Sequence, residues 1–214
     1  MVYLEETLNL SPACPETLDT FVECAQEQLV PACQRLGPRL MVAWYSNVEL
    51  FSQVTQVFEF DSLGAFETFR TKARQDRAWG EYEARLEELA SERRSRLLEP
   101  VGPVPPETLH EAAAQSQQSP LGAYFLAVLE VAPGKMAQFI AGLEASANVL
   151  PIVASWRPIT GKHNEVIDLW KGAMPQASYQ PADESMKQFF RTLREVAPRE
   201  RLVPISPLPY SQLL

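Results

Sequence analysis

The sequence is poor in the residues that most often build reactive centres. It has two histidines and three cysteines, and Cys14, Cys24 and Cys33 fall in one early stretch without CxxC spacing. That pattern argues against a zinc or redox-disulfide site and leaves ordinary reduced thiols. A metal centre is not expected, because two histidines without a third ligand at recognisable spacing do not make one. No GxGxxG, Walker loop, GxSxG or HExxH is present. Nucleotide-dependent, serine-hydrolase and zincin chemistry are thereby excluded in their usual sequence forms. Basic residues are also short, with 19 Lys and Arg against 27 Asp and Glu, a formal charge of −8. With no basic stripe to neutralise phosphates, nucleic acid is not an expected partner. No apolar run reaches the roughly 20 residues of a membrane helix, and no signal or transit pattern precedes "VYLEETLNL". A cytoplasmic location without a membrane partner is the expectation, and the excess of Arg over Lys points to a bacterial source of high GC content.

What is present is an internal repeat. "VYLEETLNLSPACPETLDTFVE" aligns with "AYFLAVLEVAPGKMAQFIAG", placing Tyr3 on Tyr124, Pro15 on Pro133, Phe21 on Phe139 and Val22 on Ile140. Trp44 and Trp156 are each followed fourteen residues later by an aromatic, Phe58 and Trp170. "FRTKAR" at 69–74 then matches "FRTLRE" at 190–195, and each copy closes on a short strand, "SRLLEPV" or "ERLVPIS". The order βαββαβ occurs twice, which is the ferredoxin-like arrangement of a four-stranded antiparallel sheet with both helices on one face. Residues 1–101 and 121–214 are the predicted repeats. The Pro-, Ser- and Gln-containing stretch 102–120 is the predicted linker, with a helical turn or two at "ETLHEAAAQ". The second copy carries a Pro-containing loop, "GAMPQASYQPADES", before its last helix.

Such a unit leaves one sheet face bare. Alternation puts Leu4, Leu8 and Leu10, like Phe125, Leu129 and Val131, on the helix side, and Tyr3, Glu5 and Thr7 with Tyr124, Leu126 and Val128 on the other. Exposing that second face costs about 25 cal/mol per Å² of apolar surface. Two copies in one chain can remove the cost by turning their sheets toward each other as a pseudo-symmetric α/β barrel.

"VFEFDSLGAFETFR" at 57–70, "DRAWGEYEARLEELASERRSRLLEP" at 76–100 and "GKHNEVIDLW" at 161–170 resemble the NIPSNAP family of the dimeric α/β-barrel superfamily. The motifs are divided between the copies. Asp61-Ser62-Leu63 and the Trp79/Tyr82 helix stand in the first, and Asn164-Glu165-Val166 with Leu169-Trp170 in the second. Where the family pattern has His, this chain has Gln56 and Asp168. The resemblance implies the barrel fold. It implies no single activity, since the superfamily includes cofactor-independent monooxygenases, isomerases, dehydratases, haem proteins and non-enzymes.

On the strand 163–170, Asn164, Val166, Asp168 and Trp170 share one face, and Ser52, Val54, Gln56 and Phe58 are their first-copy counterparts. If Ile167 and Leu169 meet the helices, these polar groups line the space between the sheets. A carboxylate in an apolar chamber has a raised pKa and exchanges protons near neutrality. The predicted catalytic residues are Asp168, His163 and Asn164. The predicted binding residues are Trp156, Arg157, Trp170, Tyr3, Tyr124, Gln56 and Ser52. Arg157, which replaces Tyr45 of the first copy, could hold a substrate carboxylate. The expected ligand is a small hydrophobic or aromatic molecule, transformed without organic cofactor by acid–base chemistry or by oxygenation. The alternative is a non-catalytic binding or interaction module, which an interior filled by Tyr3, Tyr124 and the tryptophans would favour. Haem would need His163 as its axial ligand. Edge strands leave monomer and homodimer both open.

Overall fold

A computed structural model of the chain describes residues 1–146, 150–173 and 183–214. The elements run β1 (Val2–Leu10), α1 (Pro15–Cys24), a π-helical turn (Ala25–Leu29), α2 (Val30–Leu36), β2 (Arg39–Ser46), β3 (Gln53–Phe60), α3 (Leu63–Ala73), α4 (Arg77–Leu89) and β4 (Ala90–Pro100). They continue with α5 (Pro106–Gln118), β5 (Tyr124–Glu130), α6 (Met136–Ser146), β6 (Ile152–Pro158), β7 (Glu165–Lys171), α7 (Glu184–Val196) and β8 (Arg199–Pro207). The predicted Pro-containing loop before α7 lies, over 174–182, outside the described residues.

The strands close into one eight-stranded barrel in the order β1-β3-β2-β8-β5-β7-β6-β4, and all neighbouring pairs are antiparallel. The fold is therefore a mixed α/β fold around a closed antiparallel barrel. The first four strands lie in the order β4-β1-β3-β2 and the last four in the order β8-β5-β7-β6. The two sets meet at short seams. At one, Trp44 lies opposite Pro207 and Tyr45 opposite Ser206. At the other, Leu98, Glu99 and Pro100 lie opposite Pro158, Arg157 and Trp156.

Alternation sorts the side chains between two environments. Outside, Leu8, Val54 and Phe58 pack under the helices of the first half, and Phe125, Leu129 and Val166 under those of the second. Inside, Tyr3, Val57, Leu98, Tyr124, Trp156, Ile167 and Leu169 form a separate cluster. The ring of Tyr3 meets Trp156 edge-on at 5.6 Å, an arrangement the ring quadrupoles favour.

The segment expected as a linker is a full helix, and it closes one end of the barrel. Pro106 stands at its first position, where a missing N–H costs nothing. Leu109, Ala113 and Ser116, at helical spacing, form its buried face, and Leu109 and Ala113 join the interior cluster. His110 on its rim places Nε2 2.9 and 3.0 Å from the two carboxylate oxygens of the buried Glu59, to which Arg39 Nε also donates at 2.7 Å. The chain after β8 then returns along β2, with Leu208 N donating to Ala43 O at 2.9 Å and Leu213 N to Met41 O at 3.3 Å.

The π-helical turn also has a local cause. Pro31 has no N–H, and its ring would clash with the carbonyl of Glu27 in a regular α-helix. The wider turn, in which Val30 N donates to Ala25 O, relieves that crowding.

Leu8 under the helices and Leu169 inside the barrel are both 0% exposed. Leu8→Ala and Leu169→Ala are each expected to cost about 2–5 kcal/mol in urea unfolding. Because the seams join the halves, each loss should move one transition seen alike by fluorescence and far-UV circular dichroism. Two separable transitions, only one of them shifted, would contradict the closed barrel.

Candidate functional site beneath the second-half helices

The sequence pattern places Asp168, Gln56 and their neighbours between the sheets if Ile167 and Leu169 meet the helices, but the register places them outside. Asp168 lies directly opposite Ala127, which alternates with Phe125 and Leu129 on the helix side. Gln56 likewise lies opposite Glu6, between Leu4 and Leu8. Ile167 and Leu169 point into the barrel instead. Directly opposed residues share a face, so the helix-side positions of the first and fifth strands determine those of their neighbours.

On the helix side of the second half is a cavity of about 630 Å³ between the sheet and α6 and α7. Its walls are largely apolar, with Phe125, Phe139, Leu143, Phe189 and Leu193 among them. Asp168 and Trp170 stand in the sheet wall. Trp170 stacks on Phe125, centroids 5.6 Å apart and planes 15° from parallel. Its indole Nε1 is buried and has no hydrogen-bond partner. Phe189 and Phe190 on α7 also line the cavity while remaining exposed on their other side.

Asp168 is 2% exposed, and Ser155 Oγ donates to its Oδ1 at 2.5 Å. Burial pushes its carboxyl up to about 7; the Ser155 bond pulls the other way, and the charge of Glu200 adds to the rise. Among the described residues no arginine or lysine offsets that penalty at close range, in contrast to the buried Glu6 of β1, to which Arg93 Nη2 donates at 2.7 Å. Asp168 therefore changes charge near neutral pH, beside a mainly apolar space of ligand size.

The corresponding space in the first half is filled. Gln56 Nε2 donates to Tyr210 Oη at 2.7 Å, and Tyr82 of α4, 1% exposed, packs in the same cluster with Phe21. Tyr210 comes from the chain beyond β8, so the carboxyl-terminal stretch plugs one half while leaving the other open.

The other predicted site residues scatter. His163 is exposed in the turn before β7 and lines neither this cavity nor the barrel interior. Asn164 Nδ2 donates to Val131 O at 3.3 Å and ties that turn to the end of β5. Ser52, at a φ of 62°, belongs to the β2–β3 turn, where its N–H donates to Asn47 Oδ1 at 3.1 Å. Arg157 Nε donates to Glu99 Oε1 at 2.5 Å, a seam ion pair on the surface. Tyr3, Tyr124 and Trp156 fill the interior near α5. Only Asp168 and Trp170 of the predicted set meet at one cavity. Its remaining walls carried no catalytic motif; Phe139, Phe190 and Leu193 stood out in the sequence only as members of the repeat, and Phe125 and Leu129 as helix-side positions of a strand. Among the described residues lining this cavity there is no His, Cys, Met or Tyr.

Residues 13–105 match the family model for NIPSNAP. The match covers the first half, and the motif at 161–170 lies beyond it. No curated protein matches the chain. Among solved structures, a proposed monooxygenase from Fusobacterium nucleatum is similar at 11% identity and a TM-score of 0.63, over 97% of this chain and 92% of that one. A proposed monooxygenase from Lactobacillus acidophilus is similar at 10% identity and a TM-score of 0.61, over 96% and 93%. An anthrone oxidase-like protein follows at 12% identity and a TM-score of 0.57, over 96% and 90%. At these identities the likeness is one of fold.

A carboxyl group raised by folding binds a proton in the folded state that the unfolded chain releases. Its contribution to stability is greatest below about pH 4, falls as pH rises toward 7, and is level above that. Asp168→Asn cannot ionise. It is expected to match the parent protein at pH 4 and to exceed it by about 2–4 kcal/mol at pH 8 in urea unfolding. An equal change at both pH values would show that Asp168 does not carry the shift.

Proposed function

We propose that the chain binds a small, mainly apolar aromatic molecule in the cavity beneath α6 and α7, and that Asp168 exchanges a proton with it. The observation that carries this reading is a carboxyl group 2% exposed and pushed up to about 7 in the wall of an apolar cavity of about 630 Å³. A packing role alone would be served more cheaply by an apolar side chain, since a buried unpaired charge is destabilising.

In this reading the aromatic ring lies among Phe139, Leu143 and Phe189, and an oxygen on it accepts from the free indole N–H of Trp170. Ser155 holds Oδ1 of Asp168 and fixes the carboxyl plane, which leaves Oδ2 to meet a proton on the ligand. As carboxylate, Asp168 removes that proton; as acid, it returns it to another atom. This serves an isomerase, lyase or cyclase, or prepares an electron-rich ring for attack by oxygen. General acid–base help of this kind is worth about 10²–10⁴ in rate. The shared fold with proteins described as monooxygenases and as anthrone oxidase-like is consistent with an aromatic ligand, but carries no residue role at 10–12% identity.

The halves, residues 1–101 and 121–214, are read as ferredoxin-like units from a duplication, with 102–120 between them. The common strand order of the two sets supports this. Divergence then plugged one helix-side space with Tyr82 and Tyr210 and left the other for a ligand. A non-catalytic binding role is the second reading. It is favoured by the filled barrel interior near α5 and by the separation of His163 and Asn164 from Asp168.

Leu202, half-buried in the cavity wall, gives the test. Leu202→Trp fills the space from the sheet and is expected to weaken binding of 1-naphthol about tenfold or more in calorimetry, with no loss of thermal stability. Asp168→Asn is expected to keep binding and to abolish its change between pH 6 and 8. Unchanged naphthol affinity in Leu202→Trp would overturn the assignment of the cavity.

A further inference from the structure

Among the described residues, α5 closes one end of the barrel and no helix covers the other. Along its strands the inward positions change from apolar to charged toward the other end. In β4 they run Leu98, Arg96, Arg94; in β8, Ile205, Val203, Arg201; in β7, Leu169, Ile167, Glu165. A second cavity of about 620 Å³ opens there, with Trp44, Leu126, Val128 and Val203 as its apolar floor.

Most of the charges around this mouth are matched within the wall. Arg96 bonds Glu5 and reaches Glu165 at 2.9 Å, Lys162 lies 3.2 Å from Glu165, and Arg199 lies 3.6 Å from Glu130. Arg94 and Arg201 are held differently. They come from opposite halves, and both meet the carboxylate of Glu49 at the tip of the β2–β3 hairpin. Arg94 Nη2 is 4.0 Å from Oε2, and Arg201 pairs with Oε1. Arg94 has a further contact with Glu92 at 3.5 Å.

The tip that supplies Glu49 is not anchored by burial. Its neighbours Val48, Leu50 and Phe51 are 48%, 48% and 55% exposed. One carboxylate on a solvent-exposed hairpin tip thus faces two guanidinium groups above an apolar floor, and with Arg94 at the outer limit of an ion pair it leaves donors of that group free. We propose that this mouth is a second ligand site, for a small monocarboxylic acid with an apolar body, whose carboxylate displaces Glu49 from Arg94 and Arg201. Guanidinium groups pair with carboxylates at good geometry. The apolar body would rest against Trp44 and Val203. A phosphate dianion is disfavoured, because Glu5, Glu130 and Glu165 share the same mouth. The site is distinct from the cavity that Asp168 lines: Glu200 borders both, and the other lining residues differ.

The test uses 4-phenylbutyrate as probe and calorimetry on the full chain. Glu49→Gln removes the internal competitor and is expected to bind the probe about tenfold more tightly than the parent. Arg94→Gln with Arg201→Gln is expected to lose about tenfold or more, with thermal unfolding unchanged, since both side chains are about half exposed. Leu202→Trp, which fills the other cavity, should leave probe binding as it is, and inorganic phosphate should not compete. Equal affinity in Glu49→Gln and the parent, retained affinity in the double arginine variant, or competition by phosphate would each overturn the proposal. Loss of binding in Leu202→Trp would place the probe in the other cavity and overturn it as well.

Discussion

Closure of the sheet is the constraint on which the other features depend. A strand in a closed antiparallel barrel has an inside and an outside, and every residue is assigned to one of them by parity. The seams that impose this are short, two residue pairs between β2 and β8 and three between β4 and β6. They bring the two sets of strands around one interior, which the rings of Tyr3, Tyr124 and Trp156 and the helix α5 fill at one end. With that end filled, two sizeable spaces bordered by described residues lie outside the barrel under the helices of the second half and at the open charged mouth.

The two outer spaces were resolved differently by the sequence. In the first half, Tyr82 and the returning Tyr210 occupy the region around Gln56, and Arg93 compensates the buried Glu6. In the second half the positions of Gln56 and Glu6 hold Asp168 and Ala127, and no side chain of the described residues replaces the two tyrosines. A buried carboxyl, bonded by Ser155 but with no cationic partner among the described residues, and an unfilled apolar space therefore coincide. Stability alone does not select such a pair, because filling the space and neutralising the acid would each be favourable. In the proposed function a ligand is the reason for both.

Much of this architecture was legible in the residues. The pairing of Tyr3 with Tyr124 and of Phe58 with Trp170 located the strands, and the helix-side run Leu4, Leu8 and Leu10 was read correctly from the pleat. The face of β7 was not, because a short strand with apolar residues of both parities has no internal sign of its inside. Its register with β5 supplies the sign, since Ala127 between Phe125 and Leu129 draws Asp168 to the helices. The segment holding the helix at 106–118 was read from its Pro, Ser and Gln content as a linker with a helical turn or two. Only its docking on the barrel end shows what Leu109 and Ala113 are for. The charged mouth left no motif, as its arginines and glutamates come from strands distant in sequence.

The central claim is that Asp168 is a proton-exchanging group in a cavity open to an aromatic ligand. It is tested most directly by a carbon-13 NMR titration of the Asp168 carboxyl, with and without 1-naphthol, assigned by its loss in Asp168→Asn. The account predicts titration at about 7 in the free protein and a displaced midpoint when naphthol is bound. A carboxyl that titrates near the ordinary value of about 3.9, or one whose midpoint ignores the ligand, would contradict it.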